Sequence, residues 1–140
     1  MANMSNYLEA QIGLYWLQGG AGAAAAPATV YVALYTVTPT DASASGTEVT
    51  GGSYARVAVT TSAANFPGPT TNDGTFTNGA AITFPAPTAN WGTVVAIAIY
   101  DAATVGNELF WGALTTNKTV NNGDPAPSFA IGALSIQIDN

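Results

Sequence analysis

The sequence predicts a mainly β protein, an antiparallel β-sandwich or barrel-like domain preceded by one N-terminal α-helix. One segment near the N-terminus repeats its apolar residues with the period of a helix, and the later segments alternate with the period of a strand. An Ala- and Gly-rich stretch separates the two patterns, and Gly, Pro, Asn and Asp punctuate the later runs, as in antiparallel sheets. We therefore expect residues 1–26 to form the helix and its linker, and residues 27–140 to form the β-sandwich-like domain.

The predicted helix begins after Ser5, a residue type that caps helix N-termini, and ends at a pair of glycines. Leu8, Ile12, Tyr15 and Trp16 recur at i, i+4, i+7 and i+8 and form one apolar face. Neighbouring apolar residues widen this face, so the helix is expected to contact two surfaces. We predict that the four residues form a contact between subunits. Packing of the helix onto its own β domain is an equally good alternative.

We predict the strands from short segments in which successive side chains alternate between two faces. Residues 29–35 place three aliphatic side chains on one face and Tyr31, Ala33 and Tyr35 on the other. Residues 93–100 are apolar on both faces, as in a central strand that is covered on both sides. Residues 60–79, rich in Pro, Gly, Asn and Thr, predict a long loop. The other predicted strands are residues 54–60, 81–84, 108–114 and 133–138.

The composition removes most of the side chains that perform chemistry. The 140 residues include no His, no Cys and only two basic residues, Arg56 and Lys118. This excludes Ser-His-Asp and Cys-His catalysis and the usual His and Cys ligands of transition metals. At a net charge of −6 the chain also lacks the clustered cations that bind nucleic acid or an anionic membrane surface. We expect a protein that is not an enzyme, carries no cofactor, and has neither nucleic acid nor membrane as a partner.

Three weaker possibilities remain open. Asp101 and Glu108 flank one predicted loop and could form a glycosidase pair, although a turn-capping Asp101 and a solvated Glu108 are the simpler interpretation. Loops that contain Asp73 or Asp124 could supply oxygen ligands to a calcium ion. Trp91, at the start of a strand, could be exposed and contact a glycan, although packing is the commoner role.

Charged residues are unusually scarce for a soluble domain. Only 7% of the residues are charged, while 48% are hydrophobic. A monomer with so few charges is prone to self-association. We therefore expect much of the surface to be covered in an assembly.

Short motifs in a fixed order extend over nearly the whole chain after the linker. The clearest are Ile82-Thr-Phe-Pro85, Asn90-Trp-Gly-Thr93, Ile99-Tyr-Asp-Ala-Ala-Thr104, Leu109-Phe-Trp-Gly-Ala-Leu114 and Thr119-Val-Asn-Asn-Gly-Asp124, after residues 27–41 and 46–57 and before Phe129 and residues 132–134. Together they resemble a family of small virion proteins of tailed bacteriophages. One local departure is Glu108, an acidic residue where a neutral or apolar one is expected.

The resemblance implies a helix followed by a β domain, and it implies no catalytic residues. Members of this family are described as tail fibre or structural proteins, and related small proteins resemble capsid cement or decoration subunits. Our first expectation is a cement protein, a homotrimer on the outer surface of the capsid that clamps subunits of the major capsid protein. The alternatives are a tip or adaptor protein of a tail fibre or baseplate, and a host-glycan-binding module on the virion.

Overall fold

The computed structural model describes residues 3–42, 45–69 and 73–138. It confirms the predicted class, since antiparallel β-sheets make up most of the ordered elements and one helix lies near the N-terminus. The division into residues 1–26 and 27–140 stays a prediction. The elements are β1 (Asn3–Met4), α1 (Asn6–Leu17), β2 (Thr29–Val37), β3 (Thr47–Glu48), β4 (Val57–Thr60), β5 (Thr75–Thr77), β6 (Ile82–Thr83), β7 (Gly92–Tyr100), β8 (Glu108–Val120), β9 (Ser128–Phe129) and β10 (Ser135–Gln137).

The main sheet has the strand order β1-β8-β7-β2, and the outer edge of β2 is shared by two short strands. β4 pairs with the first part of β2, and β3 pairs with its end at Tyr35 and Val37. Two small sheets, β5 with β10 and β6 with β9, supply side chains to the core on one face of the main sheet. The result is two layers around one principal core.

The principal core follows from the alternation of β2 and β7. Val32, Leu34, Ile97 and Ile99 point to the same face and are almost fully buried. Burial of each such side chain stabilises the fold by roughly 1.5–3 kcal/mol. The small sheets and the loops beside them complete this core with Ile82, Phe84, Trp91, Leu134 and Ile136.

The opposite face of the main sheet is also buried, as predicted for residues 93–100. Ala33, Ala96 and Ala98 are completely inaccessible, and Tyr35 and Tyr100 pack with them. Tyrosine side chains cover this face, with no further strand layer among the described residues. The tyrosines bring hydroxyl groups into a buried region, and those hydroxyls need partners.

Several elements differ from the sequence prediction for physical reasons. β8 continues to Val120, six residues past the predicted end, because its second half is exposed and needs no apolar alternation. β5 lies inside the predicted loop of residues 60–79, of which residues 70–72 lie outside the described part. The strands β1, β3 and β9 have two residues each, too few for any alternation to be visible.

Asn78 connects the loops that join the small sheets. Its side chain is buried and makes three hydrogen bonds, all of 2.8 Å. Oδ1 accepts from the Leu134 amide, and Nδ2 donates to the carbonyls of Ala80 and Ala130. Because each bond satisfies a main-chain group, this one side chain fixes how the two loops approach each other.

We expect Gly79→Ala to destabilise the protein by about 2 kcal/mol or more. Gly79 follows Asn78 where two backbone segments meet, and a Cβ there would collide with the carbonyl oxygen of Ala64. The matched control is Gly13→Ala in α1, where a Cβ would meet nothing within 4 Å. That variant is expected to be neutral or stabilising by ~0.5–1 kcal/mol. Urea denaturation measures the free energy of unfolding of both variants. Equal values for Gly79→Ala and Gly13→Ala would contradict the close contact between Gly79 and the Ala64 carbonyl.

Candidate functional site

The first turn of α1 is attached to the main sheet. Ser5 is the N-cap, and its hydroxyl accepts a hydrogen bond of 3.3 Å from the Leu8 amide while donating to the Glu108 carbonyl. The Ser5 amide donates to the Leu109 carbonyl at 2.9 Å. Tyr7 and Leu8 pack against the principal core. The start of the helix is therefore held by both polar and apolar contacts.

The rest of the helix leaves its large apolar residues in solvent. The exposed fractions are 36% for Ile12, 63% for Tyr15, 77% for Trp16 and 87% for Leu17, and we call these four residues the helix patch. The rings of Tyr15 and Trp16 lie edge to face with centroids 5.7 Å apart. Of the four residues predicted to contact another subunit, Leu8 contacts its own core and the other three are exposed. Exposed apolar clusters of this kind are typical of interaction surfaces.

The chain after α1 stays close to the helix. The Ala24 amide donates to the side-chain oxygen of Gln11 at 2.6 Å, and the Gly20 amide donates to the Leu14 carbonyl at 3.1 Å. Gly19 and Gly20 both have positive φ, a conformation that Gly adopts without strain and that ends the helix here. The linker thus returns along α1 without covering the helix patch.

Trp91 is packed inside the protein, which is the commoner of the two roles considered for it, and it is not exposed for glycan contact. Trp91 is 5% exposed, and its indole nitrogen donates to the Gly52 carbonyl at 2.9 Å. Its ring meets Tyr54 edge to face at 5.4 Å between centroids. A buried ring offers no face to a sugar, so Trp91 is a core residue and the glycan contact predicted for it is not available.

Arg56, one of the two basic residues, is enclosed by hydrogen bonds. Its guanidinium binds both carboxylate oxygens of Glu48, at 2.9 and 2.8 Å. It also donates to the carbonyls of Ala102 and Val105, at 3.0 and 2.9 Å, and lies 3.7 Å above the ring of Tyr100. This arrangement connects β3, the start of β4 and the loop between β7 and β8. Its role is structural, since all three guanidinium nitrogens donate to acceptors within the fold.

Glu108 is buried beside this arrangement, which corrects the expectation that it is solvated. It is 0% exposed, and Oε2 accepts from the Tyr100 hydroxyl at 3.2 Å, while Tyr100 and Tyr35 share a bond of 2.5 Å. Its other oxygen, Oε1, has no hydrogen-bond partner among the described residues. Burial raises the pKa of Glu108 to about 7. The Tyr100 hydrogen bond and the charge of Arg56 act in the opposite direction, and the charge of Asp41 adds to the increase.

The remaining candidate carboxylates have ordinary local roles. Asp101 accepts from the main-chain and side-chain nitrogens of Asn107 at 2.7 and 2.8 Å, which confirms that it caps the turn. Asp73 and Asp124 accept from nearby main-chain amides in their own turns. Within the described ranges, no group of three or more acidic residues is placed to hold a metal ion. In the same ranges, no helix is long and apolar enough to cross a membrane.

A cleft that the sequence did not predict opens between the two layers. It has a volume of about 360 Å³ and lies between the second half of β8 and the segments around β9 and β10. Leu114, Phe129 and Leu134 contribute apolar walls, while Thr116 and Lys118 line it from exposed positions on β8. We call this the interlayer cleft. Its size is within the range of ligand-binding pockets, and it is mostly apolar.

Comparison with known families gives a match over nearly the whole chain. The family model described as "Podophage GP4 fiber I protein gp80" matches residues 3–137. The match includes α1, every strand and both exposed features, the helix patch and the interlayer cleft. No curated protein matches the chain.

We expect the stability of the protein to fall as the pH rises from about 5 to 8. The pKa of Glu108 is about 7 in the folded protein and 4.5 in the unfolded chain, so the folded state keeps a proton that the unfolded state has released. Unfolding is then favoured by rising pH, by about 3 kcal/mol over the whole interval. Glu108→Gln removes this penalty and should be the more stable protein at pH 8. Urea denaturation at both pH values measures the difference.

The control for this experiment is Glu9→Gln, which removes one negative charge from an exposed position on α1. It should preserve the pH dependence of the wild type. If Glu108→Gln shows the same dependence as the wild type, the buried Glu108 is not its origin.

Proposed function

The chain belongs to the family described as Podophage GP4 fiber I protein gp80, and we propose that it is a non-enzymatic structural subunit of a phage tail fibre. The observation that carries the proposal is the match over residues 3–137, which includes nearly the whole chain. The family makes the protein a phage virion structural protein of fibre type. The subunit role within the tail is our proposal.

The helix patch supports an assembled state. Tyr15, Trp16 and Leu17 together expose on the order of 400 Å² of largely apolar surface, which is costly to leave in water. The chain has few charges to keep copies apart. We therefore propose that copies of this chain associate with one another through the helix patch, and we propose a homotrimer as the assembled state. Other tail proteins are the remaining proposed partners.

The proposed absence of catalysis rests on how the few reactive groups are used. The chain contains no His and no Cys. Glu108 is buried and Asp101 caps a turn, so neither carboxylate faces an open site beside the other. Each of these groups has a local structural partner, which supports a structural role for the chain.

Capsid cement, the first expectation from the sequence, is the rival to a fibre role. A cement protein would use the same exposed surfaces, with the major capsid protein as its partner on the outer capsid surface. We rank the fibre role first because the matched family is described as a fiber protein. Trp91, the one residue considered for contact with a host glycan, is buried, so it does not support a glycan-binding role.

The position and number of copies in the virion test this ranking. We expect gold-labelled antibodies against the protein to bind the tail in electron micrographs of intact virions. Quantitative mass spectrometry should give few copies relative to the major capsid protein, as the symmetry of a tail requires. Labelling of the head with a copy number close to that of the major capsid protein would contradict the fibre role and favour cement.

Incorporation into virions tests the helix patch. Phage that carry Trp16→Ser should contain at least about tenfold less of this protein in purified particles, because a large exposed aromatic residue is typical of an interface anchor. The amount is measured by immunoblotting. Val105→Ser is the matched control, since Val105 is 85% exposed and lies in the loop between β7 and β8, outside the patch and the interlayer cleft. Equal loss in both variants, or no loss in either, would contradict a specific role for the patch.

A further inference from the structure

The chain carries two separate apolar features that have no covering partner among the described residues. One is the helix patch, which projects from the end of α1. The other is the interlayer cleft, which is bounded by the second half of β8 on one side. The first feature is convex and the second is concave, and every copy of the chain has one of each. The patch of one copy can therefore be buried in the cleft of another when copies associate head to tail.

We propose that the helix patch of one copy docks into the interlayer cleft of a second copy, with Trp16 and Leu17 as the inserted side chains. This inference rests on the proposed self-association and specifies its geometry. The contact is heterologous, because the two copies contribute different surfaces. A heterologous contact closes into a ring when the rotation between copies permits, and otherwise continues as a filament.

The area of the helix patch makes a single contact small. The exposed parts of Tyr15, Trp16 and Leu17, with Ile12, offer roughly 500 Å² from one copy, whereas a standard interface takes about 800 Å² from each partner. The cleft belongs to the second copy, so its walls around Leu114 and Phe129 face the patch and do not enlarge it. In a closed ring each copy makes two such contacts, one through its patch and one through its cleft, which favours the ring over an isolated pair.

Opposite charges lie near the helix patch and at the interlayer cleft. The chain has a net charge of −6, and of its two cations Arg56 is held by Glu48 while Lys118 lines the cleft from an exposed position. Glu9 is exposed on α1 and lies seven residues before Trp16, which places both residues on the same side of the helix. When Trp16 enters the cleft, Glu9 can approach the Lys118 of the second copy.

The experiment uses one variant for each half of the contact. Trp16→Ser combined with Leu17→Ser removes the inserted side chains. Thr116→Trp fills the cleft from an exposed β8 position without removing any core side chain. Its matched control is Thr119→Trp, because Thr119 is an exposed threonine on the same strand that does not line the cleft. Sedimentation velocity of the purified full chain measures the mass of the assembly in each case.

We expect the wild type and Thr119→Trp to assemble. The double variant Trp16→Ser, Leu17→Ser and the variant Thr116→Trp should each be monomeric when alone. An equimolar mixture of the two variants should form a complex of two chains and no larger species, because one intact patch and one intact cleft remain between them. This result is specific to a head-to-tail contact.

Two outcomes would overturn the inference. If Thr116→Trp still assembles while the double Ser variant does not, the helices meet each other symmetrically, and self-association stands without the cleft. If the wild type is monomeric at all concentrations, no contact between copies exists through either feature. The fibre role itself is decided separately, by the position and copy number of the protein in the virion.

Discussion

Burial of β7 on both faces is the constraint that organises this protein. A strand that is apolar on both faces must be buried on both, and in this protein a different set of side chains buries each face. The small sheets cover one face with aliphatic and aromatic side chains. On the other face, Tyr35 and Tyr100 pack with alanines, and their hydroxyls require Glu108 as a polar partner inside the fold. Arg56, which is paired with Glu48, lies over Tyr100 and connects the surrounding loops.

The position of α1 follows from the same region. Ser5 is bonded to the main chain at Glu108 and Leu109, so the helix begins where the buried polar cluster ends. Only the first turn reaches the core, and the second half of the helix projects with Trp16 and Leu17 in solvent. A well-anchored base with an apolar tip is suited to carry a contact with another chain. This is the physical basis for treating the protein as an assembling subunit of the virion.

Local patterns predicted much of this fold, and long-range contacts account for what they missed. The alternation of residues 29–35 and 93–100 and the cap at Ser5 are encoded by neighbours in the sequence, and the structure contains all three. Glu108 was wrongly expected to be solvated, and the packing of Trp91 was left open, because their partners, Tyr100 and Gly52, are supplied by other segments of the chain. For Glu108 a signal was present, since an acidic residue stands where the related motif has a neutral or apolar one. The interlayer cleft left no such signal, because it exists only between elements that are distant in sequence.

A reconstruction of the intact tail by electron cryo-microscopy, at a resolution that shows side chains on α1, tests the central claim most directly. That claim is that the exposed end of α1 is a contact between subunits. We predict that the indole of Trp16 is buried against a neighbouring copy of this chain. Copies in which α1 lies in solvent along its whole outer face, or copies that do not touch one another, would contradict it.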